Sequence, residues 1–404
     1  MAEIVTDKSK INEVFGRYVE AVFPSKERAL ELMASGKRLT FYLGVDPTGP
    51  DLHLGHTTNF FVLKKLIGLG HKVILLIGDF TAQTGDPTGK DTARKSLTVK
   101  EVESNMKTYL KQAVKILPKG SFDLRHNSRW LGKLNFNEIR KLARQVTVQQ
   151  MIARDMFQRR MAEDRPVTLE EFLYPLMQGY DSVAMKVDGE VGGTDQTFNM
   201  MVGRDLVKSF LNKDKIVITT KLLEDSETGK KLMNKSESEG RYVSLNDSAQ
   251  EMFGRIMSLA DSAILPLFKY ATELSDETIA EIETGLKNGE NPKKAKEELS
   301  FELVKMYHGE KEAQKAKNEF EHVFGQHELP EKMEEIEWKG NILDTSIIAG
   351  IVVSKGEIKR LVEQGAVRLD DKVIENWNEN MEIKEEGSIL KIGPRKFYKV
   401  KPGK

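Results

Sequence analysis

Between residues 40 and 80 the chain reads strand, helix, strand, and that order restricts the fold more than any other feature. TFYLGVD (40–46) is a short apolar and aromatic run ending in an Asp-Pro turn. TTNFFVLKKLIGLG then places Phe60, Phe61, Leu63, Leu66 and Ile67 near a 3.6-residue period and closes on Gly68 and Gly70. KVILLIGDF follows as a continuous apolar run, the pattern of a strand buried on both faces. Two such strands joined by a helix form a βαβ unit, parallel and right-handed. Further strands are expected at 121–127, 185–193 and 215–222, with helices filling the intervals, clearest at 137–160 and 169–186. Residues 1–23 alternate charged and apolar side chains at helical spacing.

At roughly 150 residues per domain, a chain of 404 residues suggests two or three domains. From about Ser248 to Phe324 the sequence is charged and helix-forming, broken near His308-Gly309. Residues 326–340 are polar, acidic and Pro-containing, which suits a linker, and 341–404 return to helix and strand. Lys plus Arg and Asp plus Glu both number 62, so the net charge is zero and any nucleic-acid contact must come from a local patch. Cysteine is absent, which excludes disulfides, Cys-ligated zinc, iron–sulfur clusters and a thiol nucleophile. No apolar run nears the ~20 residues of a membrane helix, and no signal-peptide core is present. The expectation is a cytoplasmic protein with no membrane partner.

Three loops carry chemistry. Asp46-Pro47-Thr48-Gly49-Pro50-Asp51-Leu52-His53-Leu54-Gly55-His56 joins the first strand to the first helix, where an open parallel sheet offers its ligand crevice. Backbone N–H groups at a helix start, with imidazoles on the preceding turn, suit a phosphate. Gly44 and Gly55 let a nucleotide lie against backbone that a Cβ would obstruct. Imidazole N–H groups can stabilise charge on a reacting phosphate without acting as bases. The same His pair also fits a zinc site or a plain turn, but no Cys is present to complete a structural zinc site.

The second loop, Gly85-Asp86-Pro87-Thr88-Gly89-Lys90 with Arg94 following, has glycines and cations for a polyphosphate but not the P-loop spacing. It reads equally as a turn before a solvated helix. The third, Thr228-Gly229-Lys230-Lys231-Leu232-Met233-Asn234-Lys235-Ser236, puts lysines on a loop that can close on a leaving pyrophosphate.

HLGH at 53–56 resembles the His-x-Gly-His signature of class I aminoacyl-tRNA synthetases, and KLMNKS at 231–236 resembles their Lys-Met-Ser-Lys-Ser loop. Nucleotidylyltransferases share the first motif; the two together, at opposite ends of one Rossmann-like domain, single out the synthetases. Either a residue is inserted after Lys231, or Leu232 replaces the loop's first lysine. Tyr174-Pro175-Leu176-Met177-Gln178-Gly179-Tyr180-Asp181 resembles the tyrosine-pocket helix of the tyrosyl-tRNA synthetases. Its Tyr174, Gln178 and Asp181 stand four and three apart, on one helical face. Gly192-Gly193-Thr194-Asp195-Gln196 matches that family's Gly-Gly-x-Asp-Gln element, Tyr42 its pocket tyrosine, and HNSRWL (126–131) the segment bearing an Asn, here Asn127. Residues 352–374 resemble the alpha-L RNA-binding motif. Lys355, Lys359 and Arg360 form a stripe there, and Lys391, Arg395, Lys396, Lys399, Lys401 and Lys404 follow in the tail.

This resemblance implies an α/β fold: a Rossmann-like parallel-sheet catalytic domain (1–247) binding ATP and tyrosine, an all-helical domain (248–325), a linker (326–340) and a small α+β RNA-binding domain (341–404). It implies that Tyr42 and Asp181 hold a substrate phenol, that Asp86, Tyr174 and Gln178 hold its ammonium, and that Gln196 lies near its carboxylate. Gly44, Asp46, His53, Gly55, His56, Gly192, Asp195 and Lys235 would bind ATP, with Asp195 on the ribose. Thr48, His53, His56, Lys90, Arg94, Lys231, Lys235 and Ser236 would serve catalysis, mostly by stabilising phosphate charge. Lys355, Lys359 and Arg360 would contact RNA phosphates. Implied partners are tRNA(Tyr), L-tyrosine, ATP with Mg²⁺ and a second copy of the chain; no structural metal is expected. A tryptophanyl enzyme fits less well, since indole offers only an N–H. A non-catalytic RNA-binding protein fits less well because His53, His56, Asp86, Asp181 and Gln196 are intact.

Overall fold

The apolar runs pair as the βαβ pattern requires. The first sheet holds β1 (Val19–Phe23), β2 (Thr40–Val45), β3 (Lys72–Ile77), β4 (Phe122–His126), β5 (Gly189–Gly193) and β6 (Ile216–Thr220), in the order β1-β6-β5-β2-β3-β4. These come from a computed structural model that describes residues 3–88, 97–233, 242–322, 333–352, 354–393 and 396–402. β2 through β6 are parallel to their neighbours, while β1 runs antiparallel to β6 at the edge. The chain builds outward from β2 to β4 and then returns on the other side with β5 and β6. The order therefore reverses between β2 and β5, the crevice where open α/β sheets bind ligands.

The helices that frame this crevice follow from local sequence. α1 (Thr57–Gly68) buries Phe60, Phe61, Leu63 and Leu66 and connects β2 to β3. The expected helix at 137–160 is three: α2 (Phe136–Ala143), α3 (Val148–Ile152) and α4 (Asp155–Ala162). A capping box of Asn135 with Glu138 starts the first piece, and one of Thr147 with Gln150 restarts the helix by satisfying its first N–H groups; α4 starts after Arg154 with no side-chain cap. α5 (Leu169–Met185) begins at another such box, Thr168 with Glu171, and ends on Lys186 in the left-handed region at φ 53°. α5 packs on α6 (Thr197–Leu211) through Leu176, Val183, Val202, Leu206 and Val207. Each such fully buried aliphatic side chain contributes roughly 1.5–3 kcal/mol.

The N-terminal segment differs from the helical expectation. After two short turns at Lys8–Asn12 and Glu13–Phe15 it forms the half-buried edge strand β1.

The chain divides into two units, Met1–Glu310 and Lys311–Lys404. α7 (Ala249–Met257), α8 (Ile264–Ala271), α9 (Asp276–Lys287) and α10 (Pro292–His308) fall in the first, together with the sheet. Tyr18 donates to the Thr272 carbonyl at 2.6 Å, and Lys64 pairs with Glu273 at 2.6 Å, so these helices are joined to the sheet body. Gly309, at φ 88°, makes the expected break before α11 (Glu310–Phe320).

In the second unit, β7 (Glu334–Trp338), β8 (Val367–Leu369), β9 (Lys372–Val373), β10 (Ser388–Ile392) and β11 (Lys396–Pro402) form a sheet of order β7-β11-β10-β8-β9. α12 (Ile342–Ile348) and α13 (Lys355–Glu363) pack on it around Ile342, Ile358, Val367, Leu390 and Val400. β7 occupies the stretch expected as linker. Its Ile336 and Trp338 enter the core, while Glu334, Glu335 and Glu337 face out and give the segment its polar composition.

Candidate active site

A cavity of about 730 Å³ opens where β2 and β5 end. Tyr42, Gly44, Asp46, Thr48, His53, Gly55 and His56 line it from β2 and the turn beyond. Asp86, Asn127, Tyr174, Gln178, Asp181, Gly192, Asp195, Gln196 and Lys231 line it from elsewhere in the first unit. Segments as much as 191 positions apart, from Tyr42 to Met233, thus meet in one hollow. Lys90, Arg94, Lys235 and Ser236 lie outside the described residues, as do Arg395 and Lys404.

One part of the cavity is buried and interlocked. Tyr42, with no exposed surface, exchanges a hydrogen bond with Ser182 Oγ at 2.9 Å. Asp181 accepts from Trp130 Nε1 at 2.7 Å and from Asn127 Nδ2 at 3.2 Å. Burial pushes the Asp181 carboxyl well above its ordinary range, against those two bonds. Burial, reinforced by the Glu190 and Asp181 carboxylates, likewise raises the Tyr42 phenol. A ligand hydroxyl placed here would meet a phenol and a carboxyl whose own needs are largely met by protein.

The neighbouring polar groups form a second cluster. Tyr174 donates to Asp46 Oδ2 at 2.8 Å, and Thr81 donates to Asp46 Oδ1 at 2.7 Å. Asp46, expected beside the nucleotide, is thus tied to the pocket helix. Asp86 accepts from Gln196 Nε2 at 2.6 Å and from the Thr88 hydroxyl at 2.7 Å. Arg154 in turn donates to that hydroxyl at 2.7 Å, with its guanidinium 4.6 Å from the Phe198 ring centre. Carboxylates at Asp46 and Asp86 and the amide of Gln178 supply the acceptors an ammonium group needs.

The third part is built on turns. His53 caps the turn Leu54–His56, its Nδ1 accepting from Gly55 N at 3.1 Å, while His56 Nδ1 accepts from His53 N at 3.1 Å. A Cβ on Gly55 would sit 2.8 Å from the His53 ring, so only glycine fits against that imidazole as it stands. Met233, at φ 65°, packs 3.7 Å from where that Cβ would be, and its sulfur accepts from Val243 N at 3.2 Å. The base of the 231–236 loop is thereby set against the His-x-Gly-His turn. Lys231 pairs with Asp195 at 2.7 Å, with the two side chains 45% and 28% exposed.

Sequence reasoning missed Trp130, Arg154, Ser182, Glu190 and Lys215. Glu190 and Lys215 form an ion pair with 2% and 0% exposed surface behind Tyr42. The signal was a lone charge at the edge of each apolar strand, in GEVGG and KIVITT. In the second unit, Lys355, Lys359 and Arg360 are exposed on α13, opposite the buried Ile358 and Val362.

Residues 34–325 match the model of the class I tRNA synthetases (W and Y). The chain is 42% identical over 400 residues to the tyrosine–tRNA ligase of Carboxydothermus hydrogenoformans, covering 96% of this chain and 97% of that protein. It is 41% identical over 382 residues to that of Thermotoga maritima, 94% of each. Among solved structures it resembles a C-terminally truncated mitochondrial tyrosyl-tRNA synthetase of Coccidioides posadasii, with TM-score 0.59 and 25% identity over 77% of this chain and 90% of that one. It shares the fold of the Archaeoglobus fulgidus tyrosyl-tRNA synthetase complexed with L-tyrosine, with TM-score 0.60 and 21% identity over 77% of this chain and 100% of that one. A cavity that joins a buried phenol–carboxyl pair to a His-x-Gly-His turn, in a chain with these relatives, belongs to a class I aminoacyl-tRNA synthetase of the tyrosine–tRNA ligase family.

Proposed function

We propose that this chain activates L-tyrosine with ATP, releasing pyrophosphate, and transfers the tyrosyl group to the 3′-terminal adenosine of tRNA(Tyr). The observation that carries this reading is the single cavity lined by Tyr42 and Asp181 and also by His53, His56 and Lys231. Tyr42 and Asp181 hold the phenol; Asp86, Tyr174 and Gln178 hold the ammonium; Gln196 lies near the carboxylate. Gly44, Gly55 and Gly192 let the nucleotide approach the backbone, and Asp195 meets the ribose.

In the first step the tyrosine carboxylate attacks the α-phosphorus and the bond to pyrophosphate breaks. A carboxylate is already ionised, so no general base is needed, and the protein's work is alignment and charge stabilisation. Thr48, His53, His56, Lys231, Lys235 and Ser236, with Lys90 and Arg94, supply that stabilisation. Mg²⁺ enters with the nucleotide's phosphates. Among the described residues no cluster of three acidic or imidazole side chains forms a metal site, and no step is assigned to a protein-held ion.

Lys355, Lys359 and Arg360 contact tRNA phosphates, and the enzyme works in the cytoplasm. No helix among the described residues is long and apolar enough to cross a membrane. A homodimer is supported by exposed apolar side chains on the helices between β4 and β5: Phe136 at 81%, Val148 at 60% and Leu169 at 82%. The test is ATP–pyrophosphate exchange with each of the twenty amino acids, followed by charging of a tRNA(Tyr) transcript. Tyrosine alone should support both, and exchange driven by tryptophan would overturn the assignment.

A further inference from the structure

Behind the proposed phenol site lies an almost wholly buried charge pair, of which Glu190 also lines the cavity. Lys215 enters β6 and its ammonium reaches the interior between α5 and α6, where Gly179 and Gly203 leave room for it. A Cβ on Gly203 would fall 2.5 Å from Lys215 Nζ and 3.2 Å from Ser182 Oγ, and one on Gly179 would fall 3.1 Å from Gly203 N. The ammonium donates to Ser182 Oγ at 2.8 Å, to the Met200 carbonyl at 3.3 Å and to the Glu190 carboxylate, which uses all three of its protons. Glu190 stands opposite Tyr42 in the β2–β5 register, so both side chains lie on one face of the sheet at its switch point.

The hydrogen-bond directions follow from this wiring. Lys215 can only donate, so Ser182 Oγ accepts from it and keeps one proton to give. Glu190 Oε2 is 3.5 Å from Ser182 Oγ, the outer limit of a hydrogen bond, whereas the Tyr42 oxygen is at 2.9 Å. The Ser182 proton therefore goes to the Tyr42 oxygen, which leaves the Tyr42 proton to be given to the nearby Glu190 carboxylate or to a hydroxyl in the cavity that Tyr42 lines. Glu190 Oε1 meanwhile accepts from Gln178 Nε2 at 3.1 Å, which turns the Gln178 amide so that its oxygen is the atom left to accept.

We propose that Lys215, Glu190 and Ser182 are positioning residues that set Tyr42 as a hydrogen-bond donor toward the substrate and so establish the preference for tyrosine over phenylalanine. The inference rests on the tyrosine-activating reading above. Lys215 and Ser182 do not line the cavity, so they act through Tyr42 and Gln178. A phenol oxygen accepts the Tyr42 proton and gives its own to Asp181; phenylalanine offers neither group this additional partner.

The test is tyrosine- and phenylalanine-dependent ATP–pyrophosphate exchange for the full chain, for Ser182→Ala and for the charge-free double variant Lys215→Met with Glu190→Gln, with thermal melts as a check of folding. Ser182→Ala removes one small buried hydroxyl, and the double variant leaves no unpaired buried charge. Both should lower kcat/KM for tyrosine by roughly tenfold, the worth of one such hydrogen bond, with the phenylalanine value unchanged, so the tyrosine-to-phenylalanine ratio falls by the same factor. An equal fall for both amino acids, or an unchanged ratio in both variants, overturns the relay. A lowered ratio in Ser182→Ala alone overturns the part given to the ion pair. Absence of tyrosine-dependent exchange in the unaltered chain refutes the underlying reading, and the inference falls with it.

Discussion

The two working parts of the cavity are held by different means. Tyr42 and Asp181 sit on a strand and a helix, are buried, and are tied to Ser182, Asn127, the half-buried Trp130 and, through Ser182, the Lys215–Glu190 pair. Around His53, His56 and Lys231 the groups ride on turns and loop bases, and the Lys231–Asp195 pair is about half in solvent. The difference matches the two tasks. Telling one amino acid from another needs donors and acceptors that cannot re-aim, since an unpaired buried polar group is what rejects the wrong ligand. Stabilising charge on a phosphate needs cations that can approach as charge develops.

Four substitutions or conditions would break or sharpen that contrast. The largest effect is expected for Lys215→Met, which leaves Glu190 buried and unpaired. Urea denaturation should show a loss of about 3–5 kcal/mol, and an unchanged midpoint would remove the interior pair from the account. Next comes Lys235→Ala, which should lower the single-turnover rate of adenylate formation roughly a hundredfold, the scale of one lost charge-stabilising group, with tyrosine affinity nearly unchanged. An unaltered rate would show that this lysine does not meet the phosphates.

The third is a pH effect. Burial raises the Asp181 carboxyl, helped by the Glu190 and Asp46 charges and opposed by Trp130 and Asn127. The ionised form is the stronger acceptor of a phenol proton, so tyrosine affinity should rise as pH rises and level off once the carboxyl is ionised. Calorimetric titration at a series of pH values reads this, and a fall in affinity with rising pH would contradict the assigned acceptor. The smallest effect belongs to Lys231→Met: its pair with Asp195 is exposed, so stability should change by no more than about 1 kcal/mol. A larger loss in the same urea experiment would mean that the loop base is as interlocked as the phenol site.

Much of this was legible in the sequence where one rule acts alone. Buried parallel strands read as apolar runs, and β2, β3 and β6 follow such runs, while β4 and β5 fall within the segments expected at 121–127 and 185–193. Asp181, Gln178 and Tyr174 were visible because helical spacing sets them on one face. Two edge strands were not legible, although β4, the other edge of the first sheet, was. β1 pairs on one side only and is half-buried, so its pattern imitates a helix, and β7 carries three outward glutamates that read as linker. The helix expected over 137–160 broke before Thr147, whose side chain competes for backbone N–H groups, and again at Arg154. Lys215 and Glu190 were invisible for another reason. A single charge at a strand end is ordinarily solvated, and only the β2–β5 register together with the close approach of Gly179 and Gly203 brings this pair into the interior.

The central claim is that the interior part of the cavity reads a phenol while the turn-borne part handles phosphate. Exchange of pyrophosphate into ATP by the unaltered chain, measured with tyrosine and with phenylalanine at equal concentration, tests it most directly. The account predicts strong exchange with tyrosine and almost none with phenylalanine; comparable exchange with both would contradict it.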